Sequence, residues 1–128
     1  MSYGVTTKHE DCTMSFKDLR WQHRILLISI DDNKELKELI AYADYSASEF
    51  AKRKLIVIGV NSKTVQLLNS SLLCLPSLSD SQRRLNSNKA LLIGLDGGTK
   101  QQYDVLDPLK VFLDIDAMPM RRRERNTN

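Results

Sequence analysis

Apolar residues are concentrated in three almost continuous runs, separated by longer segments of mixed pattern. The runs cover residues 25–30, 55–60 and 90–95. A run of this length and composition is typical of a strand that is buried on both faces of a sheet. The pattern therefore predicts a central sheet built around these three strands.

The segment between the first two runs predicts a helix. Asp31, Asp32 and Asn33 provide N-cap side chains, and the basic run 52–54 suits a helix carboxyl end. Apolar residues recur at three- and four-residue spacing, namely Leu36, Leu39, Ile40, Ala43, Ala47, Phe50 and Ala51. A strand, a helix of about 20 residues and a second strand form a βαβ unit, whose strands are parallel.

The next segment predicts a second helix, capped by Asn61 or Ser62. Its apolar positions are Val65, Leu67, Leu68 and Leu72. Pro76 interrupts the chain, and Ser79 or Asp80 caps a short helical turn that ends near Leu85.

The third run leads into a hairpin and a last helix. Asp96-Gly97-Gly98 is a strong turn signal, and the polar strand 99–105 that follows is expected at the sheet edge. Asp107-Pro108 starts a helix that Pro119 ends or kinks. The residues of this helix expected to face inward are Leu109, Phe112, Leu113 and Ala117.

The predicted order of elements is β-α-β-α-β-β-α, which is an α/β fold with helices on both faces of the sheet. A βαβ unit followed by ββα in one sheet is the thioredoxin-like arrangement. We divide the chain into a polar amino-terminal arm (1–16), the folded domain (17–120) and a basic carboxyl-terminal tail (121–128).

Charge is unevenly distributed along the chain. The net charge of the 128 residues is +3, from 19 basic and 16 acidic side chains. Four arginines and one glutamate give residues 121–128 a charge of +3, so residues 1–120 are neutral. No basic stripe is present, so a dedicated nucleic-acid-binding function is not expected. No apolar run approaches the ~18 residues of a membrane span.

The two cysteines are expected to be separate and without a redox role. Cys74 lies between leucines and is expected to be a small buried apolar residue, whereas Cys12 is expected to be exposed. His9 and Cys12 have a metal-like spacing, but no matching second pair of ligands follows, so neither a metal nor a cofactor is expected. Residues 1–16 carry no signal-peptide pattern, so a cytoplasmic protein is the default; a trimmed chain leaves a secreted or periplasmic protein open.

Three stretches resemble a known family. They are residues 19–27, with Trp21 and Arg24; residues 92–100, with the Asp96 turn; and residues 112–121, followed by Glu124. Together they are similar to the P-DUDES family of peroxiredoxin-like domains of unknown function, found in bacterial proteins and in vertebrate sushi-repeat proteins. The resemblance covers residues 17–124 and implies a thioredoxin-like, peroxiredoxin-related fold without a known activity.

The resemblance, together with the residue chemistry, selects a set of candidate motif or binding residues. They are Trp21, Arg24, Asp96, Gly97, Gly98, Lys100, Asp116, Met118, Pro119, Met120, Arg121 and Glu124. We expect Trp21 to cover an edge of the core, Lys100 to be solvated, and Arg24 to pair with an acid of the carboxyl-terminal motif such as Asp116.

Two interpretations of residues 116–121 remain open. In the first, the segment terminates a helix and both methionines pack on the sheet. In the second, exposed methionines beside Pro119 and Arg121 form an adaptable protein-binding patch.

The turn after the first strand distinguishes the possible functions. A thioredoxin-like enzyme carries its redox cysteine there, where a helix amino terminus stabilises the thiolate. Residues 29–33 contain no cysteine, and Asp31 and Asp32 are interpreted as helix caps rather than as a cation site. We therefore expect a non-enzymatic protein-binding or structural module, with no catalytic residue assigned.

Two alternatives are kept. The first is a thiol-dependent oxidoreductase or peroxidase that uses Cys12 or Cys74. The second, weaker one is nucleic-acid contact through the arginine tail. The sequence predicts neither the partner nor the oligomeric state.

Overall fold

A computed structural model describes residues 12–69 and 74–126. The chain begins there with a 3-10 helix, Phe16–Leu19. The strands are β1 (Arg24–Ser29), β2 (Leu55–Val60), β3 (Val65–Leu67), β4 (Ala90–Ile93) and β5 (Thr99–Tyr103). The α-helices are α1 (Asn33–Tyr45), α2 (Ala47–Lys52), α3 (Leu78–Leu85), α4 (Pro108–Asp116) and α5 (Pro119–Asn126).

The five strands form one open mixed sheet in the order β3-β2-β1-β4-β5. β1 and β2 are parallel, whereas β3, β4 and β5 each pair antiparallel with a neighbour. The predicted α/β class and parallel βαβ unit are confirmed, and the sheet is consistent with a thioredoxin-like fold. The polar strand β5 lies at the sheet edge, as predicted.

Helices cover both faces of this sheet, as predicted. Leu26 and Ile28 of β1 pack on one face against residues of α1, α2 and α4. Ile25 and Leu27 point to the other face, where Leu19 of the 3-10 helix and residues of α3 cover them. Successive residues of β1 therefore alternate between two apolar clusters, which explains why the whole strand is apolar.

The predicted second helix is wrong, because Val65–Leu67 form strand β3. The side chain of Asn61 accepts hydrogen bonds from the backbone N–H groups of Lys63 and Thr64, at 2.7 and 2.8 Å. This closes a hairpin onto β2 instead of capping a helix. Leu72, also assigned to that helix, lies outside the described residues, as do His9 and most of the predicted arm.

The helical predictions need two further corrections. The helix predicted between β1 and β2 is two helices, α1 and α2, with Ser46 between them. In α4, Phe112 is buried as predicted, together with Val111 and Ile115. Leu109, Leu113 and the C-cap residue Ala117, also predicted to face inward, are exposed. Apolar residues occur on two faces of α4, and the face that contains Val111, Phe112 and Ile115 packs against the sheet.

The cysteine prediction is also wrong. Cys12 and Cys74 form a disulfide, with their Cα atoms 5.0 Å apart. Beside it, Thr13 forms a parallel bridge with Leu75, and the N–H of Met14 donates to the carbonyl of Leu75 at 3.1 Å. The two cysteines are 62 positions apart in the sequence, so their pairing depends on the tertiary fold.

Candidate functional site

A buried arginine lies at the first position of β1. Arg24 is 1% exposed. One terminal nitrogen donates to the Arg53 carbonyl at 2.8 Å and to Glu124 Oε1 at 3.2 Å, and the other donates to Glu124 Oε2 at 3.4 Å. Charge-assisted pairs of this fork geometry fix both distance and orientation. Arg24 therefore ties the sheet to helix α5, which lies 100 residues later in the chain.

Arg53, directly after α2, is a second buried arginine. It donates to both carboxylate oxygens of Asp116, at 3.1 and 2.9 Å, and to Glu49 Oε1 at 2.9 Å. Its guanidinium lies 4.5 Å from the centre of the Phe112 ring. Sequence reasoning did not select Arg53; its only signal was its place in the basic run after a predicted helix.

Arg121 completes the network from helix α5. It donates to Asp116 at 3.2 Å and to the Lys52 carbonyl at 2.9 Å, and it is 7% exposed. The expected Arg24–Asp116 pair is thus replaced by two others. Glu124 pairs with Arg24, and Asp116 bridges Arg53 and Arg121, because Arg53 reaches Asp116 from the end of α2. We name these residues the arginine network: Arg24, Arg53, Arg121, Glu49, Asp116 and Glu124.

The environment of Asp116 lowers the pKa of its carboxyl group. Burial alone raises the pKa of this carboxyl, but the hydrogen bonds from Arg53 and Arg121 outweigh burial and hold the pKa below its ordinary value. Asp116 is therefore a carboxylate at neutral pH and accepts from both guanidinium groups.

An open cleft of about 230 Å³ lies beside the network. We name it the Arg24 cleft; its lining residues are Arg24, Gly94, Leu95, Asp96, Lys100, Met118, Pro119 and Met120. Both methionines are half-buried, and Met118 also packs against the apolar cluster under α4. The packing of Met118 agrees with the first interpretation, whereas the protein-binding patch of the second stays a prediction.

The Asp96 turn forms one wall of the cleft. Asp96 accepts from the Gly98 N–H and from Lys100 Nζ, both at 2.9 Å. These hydrogen bonds, that from Lys100 first, hold the pKa of Asp96 below its ordinary value. Gly97 has φ +86°, a conformation that suits glycine. Lys100 is exposed to solvent, as expected, and is also ion-paired with Asp96.

Trp21 is hydrogen-bonded to the cleft wall through its backbone, and its side chain is not part of the core. Its side chain is 62% exposed, in contrast to the expected position over a core edge. The backbone has φ +70°, and its N–H donates to the carbonyl of Leu95 at 2.6 Å. A positive φ is rare for a bulky residue and is retained only where its surroundings impose it. The bond to Leu95 keeps Trp21 next to the cleft wall.

The structure thus brings the twelve candidate residues together at one end of the sheet. Six of them line the Arg24 cleft: Arg24, Asp96, Lys100, Met118, Pro119 and Met120. Asp116, Arg121 and Glu124 belong to the arginine network, Gly97 and Gly98 form the turn, and Trp21 contacts Leu95.

The opposite end of β1 carries the turn where a thioredoxin-like enzyme would hold its cysteine. Asp32 accepts from the Glu35 N–H at 2.8 Å and caps α1, as expected from the sequence. Lys89 donates to the Ser29 carbonyl at 2.6 Å and pairs with Asp31 at 3.4 Å and with Glu35. Asp32 therefore caps α1, whereas Asp31, also expected to be a cap, pairs with Lys89 instead.

The described residues contain neither a metal-binding cluster nor a membrane-spanning helix. Within 12–69 and 74–126, no group of three or more His, Cys, Asp or Glu side chains is arranged to hold a metal ion. No helix in that part of the chain is long and apolar enough to cross a membrane.

Comparison with known proteins gives one match. No curated protein and no solved structure matches the chain. Residues 15–124 match the family described as "Domain of unknown function (DUF4174)". The match supports an uncharacterised family, while the narrower resemblance to P-DUDES domains stays a prediction. Since 110 of the 128 residues are matched, the chain belongs to the DUF4174 family.

Proposed function

We propose that the domain is a non-enzymatic protein-binding module that holds one apolar side chain of its partner in the Arg24 cleft. The observation that carries the proposal is the cleft itself, which is about 230 Å³ in volume. A cavity of roughly 150 Å³ holds a benzene molecule, so an aromatic or large aliphatic side chain fits in this space.

The lining of the cleft suits a protein partner. Met118 and Met120 are flexible and polarizable, and such side chains adapt to different apolar surfaces. Trp21 stands exposed beside Leu95, and tryptophan is enriched among the residues that dominate binding energy at interfaces. The exposed tryptophan, whose backbone N–H donates to Leu95 of the cleft wall, and the two half-buried methionines are thus chemically suitable anchor residues.

The arginine network keeps the cleft in one shape. Arg24 and Arg121 hold the segment that contains both methionines against the sheet and the end of α2. A binding surface whose backbone is already fixed loses less conformational entropy on association. The network therefore has a positioning role in this function.

A peptide selection tests the proposal. Random short peptides are displayed on phage and selected against the oxidised domain. Two neutral variants are then compared, Met120→Gln in the cleft and Leu113→Gln on α4, whose leucine is 69% exposed. We expect selected peptides to bind Met120→Gln about tenfold more weakly than wild type, and Leu113→Gln equally well.

Two results would count against the cleft. One is the absence of any selected peptide. The other is a set of peptides whose affinity is the same for wild type and for Met120→Gln. Unfolding curves of both variants establish that neither has lost its fold.

The disulfide favours a second candidate function, a thiol-dependent oxidoreductase. Cys12 and Cys74 are both half-buried and lie within bonding distance. In such a cycle the two thiols reduce a peroxide to water and alcohol while forming the disulfide, and an external dithiol restores the thiols. Peroxide turnover with excess dithiol, lost in Cys12→Ser/Cys74→Ser, would support this function; equal rates would remove it.

The same disulfide bears on the compartment. Disulfides form and persist mainly in oxidising environments, so the protein is proposed to mature outside the reducing cytoplasm, in contrast to the default expectation. A loop of 62 residues predicts about 4 kcal/mol of stabilisation in the chain-entropy description. Thiol counting on protein purified without reductant checks whether the Cys12–Cys74 disulfide is present. No free thiol is expected, and two free thiols per chain would contradict it.

A further inference from the structure

We infer that the partner of the Arg24 cleft is an acidic protein segment, in which Asp or Glu residues flank the apolar side chain that enters the cleft. This inference rests on the proposed function, because it assigns the chemistry of the partner bound at that site. Three features of the molecule support it: a local surplus of positive charge, its fixed position beside the cleft, and the apolar lining.

The surplus follows from counting the charges around the arginine network. The cations are Arg24, Lys52, Arg53, Lys54, Arg121, Arg122, Arg123 and Arg125, and the carboxylates are Glu49, Asp116 and Glu124. The eight cations outnumber the three carboxylates by five, so the local charge is +5. Since the whole chain carries +3, the remaining residues are net negative by two.

The surplus lies at the surface. The three buried arginines are matched in number by the three carboxylates. The other five cations are exposed: the side chains of Lys52 and Lys54 are 57% and 52% exposed, and Arg122, Arg123 and Arg125 are also exposed. We name these five side chains the basic rim.

The basic rim is held close to the cleft. The N–H of Arg122 donates to the Met118 carbonyl at 2.9 Å. Arg123 follows Met120 by three residues in α5, so these two side chains lie at neighbouring positions on one helix face. Arg121, between them, is fixed by Asp116 and by the Lys52 carbonyl. A ligand that fills the cleft therefore meets positive charge within about one helical turn, or roughly 5 Å along the axis.

The combination favours an acidic protein segment over a nucleic acid. Phosphates would use the basic rim but would leave the apolar walls at Leu95, Met118 and Met120 without a ligand. Binding of single strands typically relies on several stacking aromatic rings along a basic groove. An apolar side chain flanked by carboxylates uses both features, and guanidinium groups bind carboxylates with two parallel hydrogen bonds.

The test uses a peptide from the selection described above. The selected peptide is synthesised with its acidic residues and again with each Asp and Glu replaced by Asn and Gln. Both are titrated against wild type and two charge variants. One is Arg122→Gln/Arg123→Gln/Arg125→Gln; the matched control is Lys34→Gln/Lys37→Gln/Lys63→Gln, which removes three exposed lysines at the other end of β1.

We expect the acidic peptide to bind wild type about tenfold more tightly than the amide peptide at low salt, because complementary charge increases the association rate. The advantage should shrink when the Debye length falls from about 10 Å to about 3 Å at 1 M salt. It should disappear in the triple arginine variant and persist in the triple lysine variant.

The outcomes separate the two proposals. If the amide peptide binds as tightly and Met120→Gln still weakens it, the acidic partner is refuted and the cleft stands. If Met120→Gln leaves binding unchanged, the cleft itself is refuted. If a heparin fragment or duplex DNA binds through the three arginines regardless of Met120→Gln, the basic rim is a general polyanion surface and the inference is overturned.

Discussion

The charged groups at the two ends of strand β1 are held in different ways, by long-range ion pairs at one end and mainly by local helix capping at the other. At the amino-terminal end, Arg24 reaches Glu124 across 100 residues of sequence, and Arg53 reaches Asp116 across 63. At the carboxyl-terminal end, Asp32 caps the helix that directly follows it by accepting from the Glu35 N–H, three residues later. Lys89 brings in a distant segment there by donating to the Ser29 carbonyl.

The cavities at the two ends differ as well. The cavity beside the Asp32 end has a volume of about 430 Å³ and is lined largely by small polar side chains, including Ser29, Asn61, Ser62, Ser87 and Asn88. The Arg24 cleft is smaller and is lined by methionines and buried charge. In this chain the site built from long-range ion pairs therefore lies at the end of β1 opposite the usual position of a thioredoxin-like redox centre.

The largest expected effect is that of replacing Arg24, which tests whether this end of β1 is essential for stability. We expect Arg24→Met to lower the free energy of unfolding by about 3–5 kcal/mol, because Glu124 and the Arg53 carbonyl lose a buried donor. Urea unfolding of the oxidised protein measures this, and Glu124→Gln added to Arg24→Met should recover part of the loss. A loss below about 1 kcal/mol, as for an exposed ion pair, would contradict the comparison.

The second prediction concerns pH dependence at the same end. We expect Asp116→Asn to cost about 2 kcal/mol at neutral pH, as for hydrogen bonds to charged groups. Because the folded-state pKa of Asp116 is lowered, its contribution is complete above the ordinary pKa of about 4. It is lost as the pH falls through the folded-state pKa.

Unfolding midpoints of wild type and Asp116→Asn, measured over a pH series, follow this contribution. The difference between the two proteins should be constant at neutral pH and should narrow on acidification. A difference that persists unchanged at the lowest pH at which both proteins fold would show that Asp116 does not act as a carboxylate.

The third prediction tests the wall of the cleft. Gly97→Ala places a Cβ on a residue with φ +86°, 2.8 Å from Arg20 Cγ and Cδ. We expect a loss of about 1–2 kcal/mol from the left-handed backbone alone. The flexible Arg20 side chain can move, so Arg20→Ala/Gly97→Ala should show nearly the same loss. Full recovery in the double variant would mean that the contact with Arg20, and not the backbone, sets the effect.

Sequence patterns predicted the parts of this molecule that depend on local order. The long apolar runs gave β1, β2 and β4, and the Asp96 turn gave the β4–β5 hairpin. Strand β3 was missed because Val65–Leu67 is short and Asn61 suits either a helix cap or a turn.

The candidate site was predicted as a set of residues but not as a set of contacts. Arg53 was missed because its partner Asp116 lies 63 residues away, and no local period marks such a pair. The Cys12–Cys74 disulfide was missed for the same reason. Long-range pairing of single side chains depends on how the helices close over the sheet, which a one-dimensional pattern does not specify.

The smallest expected effect belongs to the Asp32 end. Asp32→Ala removes the side chain that accepts from the Glu35 N–H, so we expect a loss of about 1 kcal/mol, typical of an N-cap. Asp32→Asn, which retains an acceptor at this position, should lose less and serves as the control. A loss as large as that of Arg24→Met would mean that the turn after β1 supports more than the start of α1, and the contrast between the two ends would fail.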